Sequence, residues 1–220
     1  MSWVNKDTEI YCSFAKNAGN TGCQMMNSAF YYYGLNKIYK SFSVDNIEDA
    51  INAVKTLNIK GFAITMPYKK QVLNYVDEID ESAKIGAANT VINNNGKLKA
   101  YNTDWLAALE CLSEYKHKAN WNEFYILGNG GYATAVKAAA DDLDMPYINI
   151  TRDNWSDLSN IKNSLIYNCT PIEGLNHKYW GSNGNNVFID CIVTTKTGRK
   201  LATMQAAHQF KLYTDLEFPY

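Results

Sequence analysis

A lysine two residues after a proline (Lys69, in Thr65-Met66-Pro67-Tyr68-Lys69), an aspartate opening a helical pattern (Asp104, in Asn102-Thr103-Asp104) and a glycine turn (Gly128-Asn129-Gly130-Gly131) follow one another along this chain. A lysine held near a carboxylate can take a proton from an oxygen or return it. The glycine turn follows the apolar run Phe124-Tyr125-Ile126-Leu127 and precedes a helical pattern, and with Ala133 it fits the G-x-G-x-x-A dinucleotide fingerprint. Gly128 suits the tight turn, Gly130 lets backbone approach a pyrophosphate, Ala133 permits close helix packing, and free N–H groups at the helix start favour the phosphate charge. Hydride leaving an alcohol carbon must be matched by loss of the hydroxyl proton. A hydride carrier and a Lys69–Asp104 relay would supply the two halves of that reaction.

These residues need elements to position them. Thr8–Phe14 and Lys37–Val44 have the composition of strands, with a helix over Gly22–Tyr33 between them and Gly34 closing it. Asp45-Asn46 precede a helix in which Ile47, Ala50, Ile51, Val54 and Leu57 recur at helical spacing. Gly61–Thr65 forms a third strand, and Pro67 is placed to start the next helix. Asn89–Asn93 and Lys97–Tyr101 flank Asn94-Asn95-Gly96 as a hairpin. A helix capped by Asn102 or Thr103 follows. Beyond it, strands at 124–127, 146–150, 165–167 and 187–189 alternate with helices, the pattern of a parallel sheet. Lys200–Thr214 is a final amphipathic helix, and 181–186 a loop. The expected architecture is α/β: a substrate-binding, catalytic domain over 1–104, joined by a helix from 200–220, and a Rossmann-like domain over 105–199.

Composition narrows the partners. The 220 residues carry a net charge of −1, which offers no broad attraction to nucleic acid or anionic lipid and favours a small-molecule ligand. The five cysteines are scattered, without C-x-x-C spacing, so neither a disulfide framework nor a metal site is expected. No basic leader with an apolar core opens the chain, and no apolar run approaches the roughly 20 residues that cross a bilayer. A cytoplasmic protein without a membrane partner is expected, as a monomer or a homodimer.

Six stretches resemble the shikimate dehydrogenase family: Ala63–Lys69, Ile85–Val91, Tyr101–Asp104, Gly128–Ala133, Asn168-Cys169-Thr170-Pro171 and Gln205–Phe210. The resemblance implies an NADP-linked oxidoreductase that interconverts 3-dehydroshikimate and shikimate or a close cyclic hydroxy acid. It implies Lys69 and Asp104 as the catalytic pair, and Thr65, Asn89 and Gln205 as contacts to ring hydroxyls. Gly128, Asn129, Gly130 and Gly131 would form the phosphate turn, with Thr170 beside the cofactor. Arg152, after the next strand, would meet a 2′-phosphate and so favours NADP, whereas Asp153 would suit NAD. The family's final helix returns to the first lobe and brings Gln205 with it.

The chain departs from the family in two places. The serines that hold a substrate carboxylate fall on Asn20 and Gly22, which leaves Asn20 or Thr21 as the donor there. A tyrosine of the substrate site falls on Val193, in a shortened segment after Asp190. These losses keep a second reading open: a non-catalytic homologue that binds a metabolite or nucleotide as a sensor or partner subunit.

Overall fold

The computed structural model describes residues 4–117, 121–180 and 185–219. Residues 181–184 of the expected loop lie outside them. Two compact units emerge, one comprising Met1–Thr103 and Gln205–Tyr220, the other Asp104–Met204. The fold is α/β, with a Rossmann-like parallel sheet in the second unit.

The first unit contains β1 (Glu9–Ala15), α1 (Thr21–Tyr32), β2 (Lys37–Ser43), α2 (Ile47–Thr56), β3 (Gly61–Ile64), β4 (Glu78–Ile79), β5 (Thr90–Asn94) and β6 (Lys97–Tyr101). Its six strands run in the order β2-β1-β3-β5-β6-β4. β1 pairs in parallel with β2 and β3, while β3–β5 and β5–β6 are antiparallel. The two-residue period sends Cys12, Phe14, Phe62 and Ile64 to one face, where they pack against Ile47, Ile51 and Val54 of α2. Tyr11, Tyr39 and Ala63 face the other way, onto Met26 and Phe30 of α1 and Phe210 and Tyr213 of the last helix. Gly61 is required by that packing: a Cβ there would come within 2.7 Å of Cε1 of Tyr213.

Local chemistry explains most of these boundaries. The Asn46 side chain accepts from the Glu48 N–H and starts α2. Gly34, at φ +62, ends α1 with its N–H on the Tyr31 carbonyl. Asn95 and Gly96 take φ of 54° and 93°, as a two-residue hairpin turn demands. Leu57 does not join the buried stripe of α2; it is 63% exposed at the C-cap. Nor does Pro67 begin a helix. The Met66–Pro67 peptide is cis, a turn runs to Lys70, and a 3₁₀ helix covers Gln71–Tyr75. The Lys69 carbonyl, which a helix would offer four residues on, accepts instead from the Ala88 N–H at 2.8 Å.

The second unit contains α3 (Thr103–Lys116, whose first residue belongs to the first unit), β7 (Phe124–Leu127), α4 (Gly131–Asp142), β8 (Ile148–Ile150), β9 (Leu165–Asn168), α5 (Leu175–Tyr179) and β10 (Val187–Asp190). The four strands lie in the order β10-β9-β7-β8, all parallel. β8 begins two residues later than expected. Arg152–Asn160 is a 3₁₀ segment held at its start by a capping box between Thr151 and Asn154. The last helix, α6 (Lys196–Thr214), starts four residues before the expected Lys200.

The entry into α6 is tight. Ile192 O accepts from the Thr195 N–H at 2.9 Å and from the Thr195 hydroxyl at 2.8 Å, and the Gly198 N–H donates to Thr195 Oγ1 at 3.0 Å. A Cβ on buried Gly198 would fall on the Ile192 carbonyl. Among the described residues, no helix is long and apolar enough to cross a membrane.

Candidate functional site

In the first unit the expected ligand-binding residues gather at one end of the sheet. The parallel strands β1 and β3 finish there, so Asn20 at the start of α1 and Thr65 just after β3 share that end. Because β5 runs against β3, its beginning lies at the same edge: the Ile64 N–H donates to Asn89 O at 2.7 Å. β6 reverses again and returns there, and the Asn89 N–H donates to Tyr101 O at 3.1 Å. Lys69 joins this rim through its carbonyl's bond to Ala88. Asn20 and Thr65 are exposed, and Lys69 is half-buried. The Asn20 side chain makes no capping bond to α1, although Asn is a favoured cap.

Asn89 is buried and serves an internal network. Its Nδ2 donates to Thr103 Oγ1 at 2.9 Å, and its Oδ1 accepts from the Thr103 N–H at 2.8 Å and the Thr90 hydroxyl at 3.0 Å. Gln205 Nε2 of α6 donates to the same Thr103 oxygen at 3.1 Å, and Gln209 Nε2 donates to Thr90 Oγ1 at 2.8 Å. Thr103 is thus the hub that unites Asn89 with Gln205, and Asn89 caps the start of α3. Each primary amide has a second N–H that this network does not use. Thr90 and Gln209 were not singled out from sequence, and Thr103 only as a helix cap, because the bonds that join them into one network span 14 to 119 residues.

The network yields a stability test. Thr103→Val keeps the shape but leaves a buried amide N–H of Asn89 and a part-buried one of Gln205 facing a methyl, and it should cost about 2–3 kcal/mol in urea unfolding. Thr56→Val, whose exposed hydroxyl donates to Asn52 O at 2.9 Å, should change stability by less than about 0.5 kcal/mol. Equal effects would show that the network contributes nothing special.

In the second unit the candidates sit beyond the carboxyl ends of parallel strands, where open α/β sheets take ligands. The turn from Gly128 to Gly131 follows β7, Arg152 follows β8 and Thr170 follows β9. Gly128 has φ +110, and a Cβ there would lie 3.1 Å from Cγ2 of Thr170. Glycine is therefore demanded twice, by conformation and by contact. A Cβ at Gly130 meets nothing within 4 Å, and α4 begins there without a side-chain cap. Its first N–H groups face an approachable surface, so the turn fits a dinucleotide phosphate.

Around it the polar groups are braced. Asn168 Oδ1 accepts from the Thr170 N–H at 2.9 Å and its hydroxyl at 2.7 Å, and Asn168 Nδ2 donates to Asp190 Oδ1 at 3.0 Å. Burial raises the Asp190 carboxyl above the usual carboxylate range, against the lowering effect of bonds from the Ile192 N–H and Asn168. Arg152 and Asp153 are both exposed. Asp104 is buried in the first turn of α3, where the helix dipole favours a carboxylate. The Tyr132 phenol bonds Tyr167 at 2.9 Å. Burial, then the Cys169 thiol and the Asp104 charge, hold that phenol well above its ordinary pKa, and so protonated.

Comparison with known proteins gives a consistent picture. A family model for the shikimate dehydrogenase substrate binding domain matches residues 21–91. A shikimate dehydrogenase-like protein of Haemophilus influenzae is 40% identical over 137 residues, 62% of this chain and 50% of the relative. A shikimate dehydrogenase (NADP(+)) of Alkaliphilus oremlandii is 39% identical over 148 residues, 64% of this chain and 52% of the relative. The chain thus spans about half the length of the curated relatives it matches. The solved structure of a shikimate 5-dehydrogenase-like protein superposes with a TM-score of 0.78 at 28% identity, covering 99% of this chain and 95% of that one.

Proposed function

Since this chain belongs to the shikimate dehydrogenase family, we propose that it is an NADP-dependent oxidoreductase acting on a CH–OH group of shikimate or a close cyclic hydroxy acid. The observation that carries the reading is the turn at Gly128–Gly131, which follows a parallel strand and opens above Gly130. NADP held at this turn would supply the hydride acceptor for the carbinol carbon. This chain's residues hold the ligand and move the proton.

In this reading Lys69 takes the hydroxyl proton during oxidation and returns it during reduction, with Asp104 as its carboxylate partner. Thr65, Asn89 and Gln205 orient the ring, the latter two through the amide donors that Thr103 leaves over. The exposed amide of Asn20 stands in for the missing serines at the acid group. Gly128, Asn129, Gly130 and Gly131 receive the pyrophosphate, Arg152 the 2′-phosphate, and Thr170 lies beside the nicotinamide. The reading places the protein in the cytoplasm.

The test is absorbance of reduced nicotinamide when purified protein meets shikimate and NADP, with quinate and NAD run alongside. Turnover with NADP and one of these acids supports the proposal. Tight calorimetric binding of nucleotide with no hydride transfer to or from any acid of the panel would replace it with the non-catalytic reading, which the Asn20 and Val193 substitutions motivate.

A further inference from the structure

We propose that Lys137 is a second cationic contact for the 2′-phosphate of the dinucleotide, held in place by a clamp that it forms with Asn129 and Asn149. The inference rests on the nucleotide-binding reading above and deepens it.

Lys137 lies in the second turn of α4, and side chains on a helix lean toward its N-terminus, here toward the glycine turn. Its Nζ donates to Asn129 Oδ1, inside that turn, at 2.8 Å and to Asn149 Oδ1, on β8, at 2.7 Å. Asn149 is itself fixed. Its Nδ2 donates to the carbonyls of Ile126 and Gly128 at 2.9 Å each, so it bridges the end of β7. The Asn154 amide then donates to Asn149 O at 3.2 Å and its Oδ1 accepts from the Thr151 N–H at 2.7 Å, which ties this cluster to the residue before Arg152. The ammonium therefore stands between the phosphate turn and the strand whose end meets the adenosine ribose in this class of fold.

Charge supplies the second half of the argument. A phosphate monoester carries about −1.5 to −2 at neutral pH. Arg152 is the cation at the end of β8, but Asp153 follows it directly and Asp157 lies in the same 3₁₀ segment. One arginine with two acidic neighbours undercompensates a 2′-phosphate, and Lys137 restores the balance. A 2′-hydroxyl would gain little from the same ammonium, so Lys137 acts on the difference between NADPH and NADH.

The experiment measures binding, not turnover. NADPH and NADH are titrated by calorimetry into the full chain and into Lys137→Gln, which keeps an amide donor for Asn129; melting curves verify the fold. NADPH should bind the variant about tenfold or more weakly, as loss of a charge-assisted contact implies, with NADH changed less than about threefold. The salt dependence of NADPH binding should also become shallower, and Lys137→Arg should retain the preference for NADPH. An unchanged NADPH affinity, or equal weakening for both nucleotides, would overturn the proposal, the latter leaving Lys137 only as a brace of the turn. Should Lys137→Gln fail to fold, Lys137→Arg decides, since loss of selectivity there would reject the charge argument. If the wild-type chain binds neither nucleotide, the parent reading falls and this one with it.

Discussion

Lys69→Ala should lower turnover about a thousandfold while nucleotide binding stays within about twofold of the wild type. An alcohol proton is far too weakly acidic to leave unaided at neutral pH, and a positioned acid–base group contributes roughly 10²–10⁴ in rate. The backbone contact of Lys69 survives the substitution, because its carbonyl accepts from the Ala88 N–H and alanine retains that carbonyl; melting curves verify the fold. Lys70 supplies the control. It is adjacent, equally charged and exposed, so Lys70→Ala should leave kcat within about twofold. The comparison is made by steady-state kinetics with saturating nucleotide. A Lys69→Ala rate within tenfold of wild type would remove the lysine from the proposed chemistry, whatever the fate of KM.

The second large effect concerns stability and has an unusual sign. Alanine is a better helix former than glycine by about 1 kcal/mol, so a glycine in the first turn of α6 looks like a site for improvement. At Gly198 the opposite is expected. Its Cβ would land on the backbone carbonyl of Ile192, a group already committed to both the N–H and the hydroxyl of Thr195. A flexible side chain could yield; this backbone cannot without releasing those bonds. Gly198→Ala should therefore destabilise by about 3 kcal/mol or more, above the usual range for overpacking, as read from the midpoint of urea unfolding. Lys196→Ala, exposed in the same turn, should shift stability by less than about 0.5 kcal/mol. A Gly198→Ala protein as stable as the wild type would mean that the 191–195 segment repacks freely.

Where the sequence spoke clearly, the signal was local. The two-residue period of β1, the hairpin residues at 94–96 and the strand–glycine–helix order at 124–133 each depend on neighbours a few positions apart. Pro67 misled for the same reason. A fixed φ is compatible with a helix start, but a carbonyl captured by Ala88 decides the outcome, and that bond is not written in the Pro67 neighbourhood. The 3₁₀ segment after Thr151 and the early start of α6 were missed because short capping interactions, not apolar periodicity, define them. Candidate site residues such as Asn89 and Gln205 were visible by type and resemblance. Their convergence on Thr103 was not, since a threonine before an aspartate reads as an ordinary helix cap until the partner from α6 arrives. Lys137 was invisible altogether. On sequence it is one more helical lysine, and only the carbonyl-bridging amide of Asn149 gives it a place.

The return of α6 has a consequence for how this protein is made. Tyr213 packs on Gly61 and its carbonyl accepts from the Tyr11 hydroxyl, across 202 residues of chain. During synthesis, every residue of the second unit leaves the ribosome before that partner exists. The second unit is contiguous and its strands pair with near neighbours, so it can fold as it emerges. The first unit cannot. Its sheet waits with Tyr11, Phe30 and Tyr39 uncovered on one face until residues 205–220 appear, and the closing step carries the entropy of a very long loop. Of the two units, the one whose translation starts first is therefore completed second, and in the interval its bare aromatic face is what a chaperone, or another nascent copy, would meet.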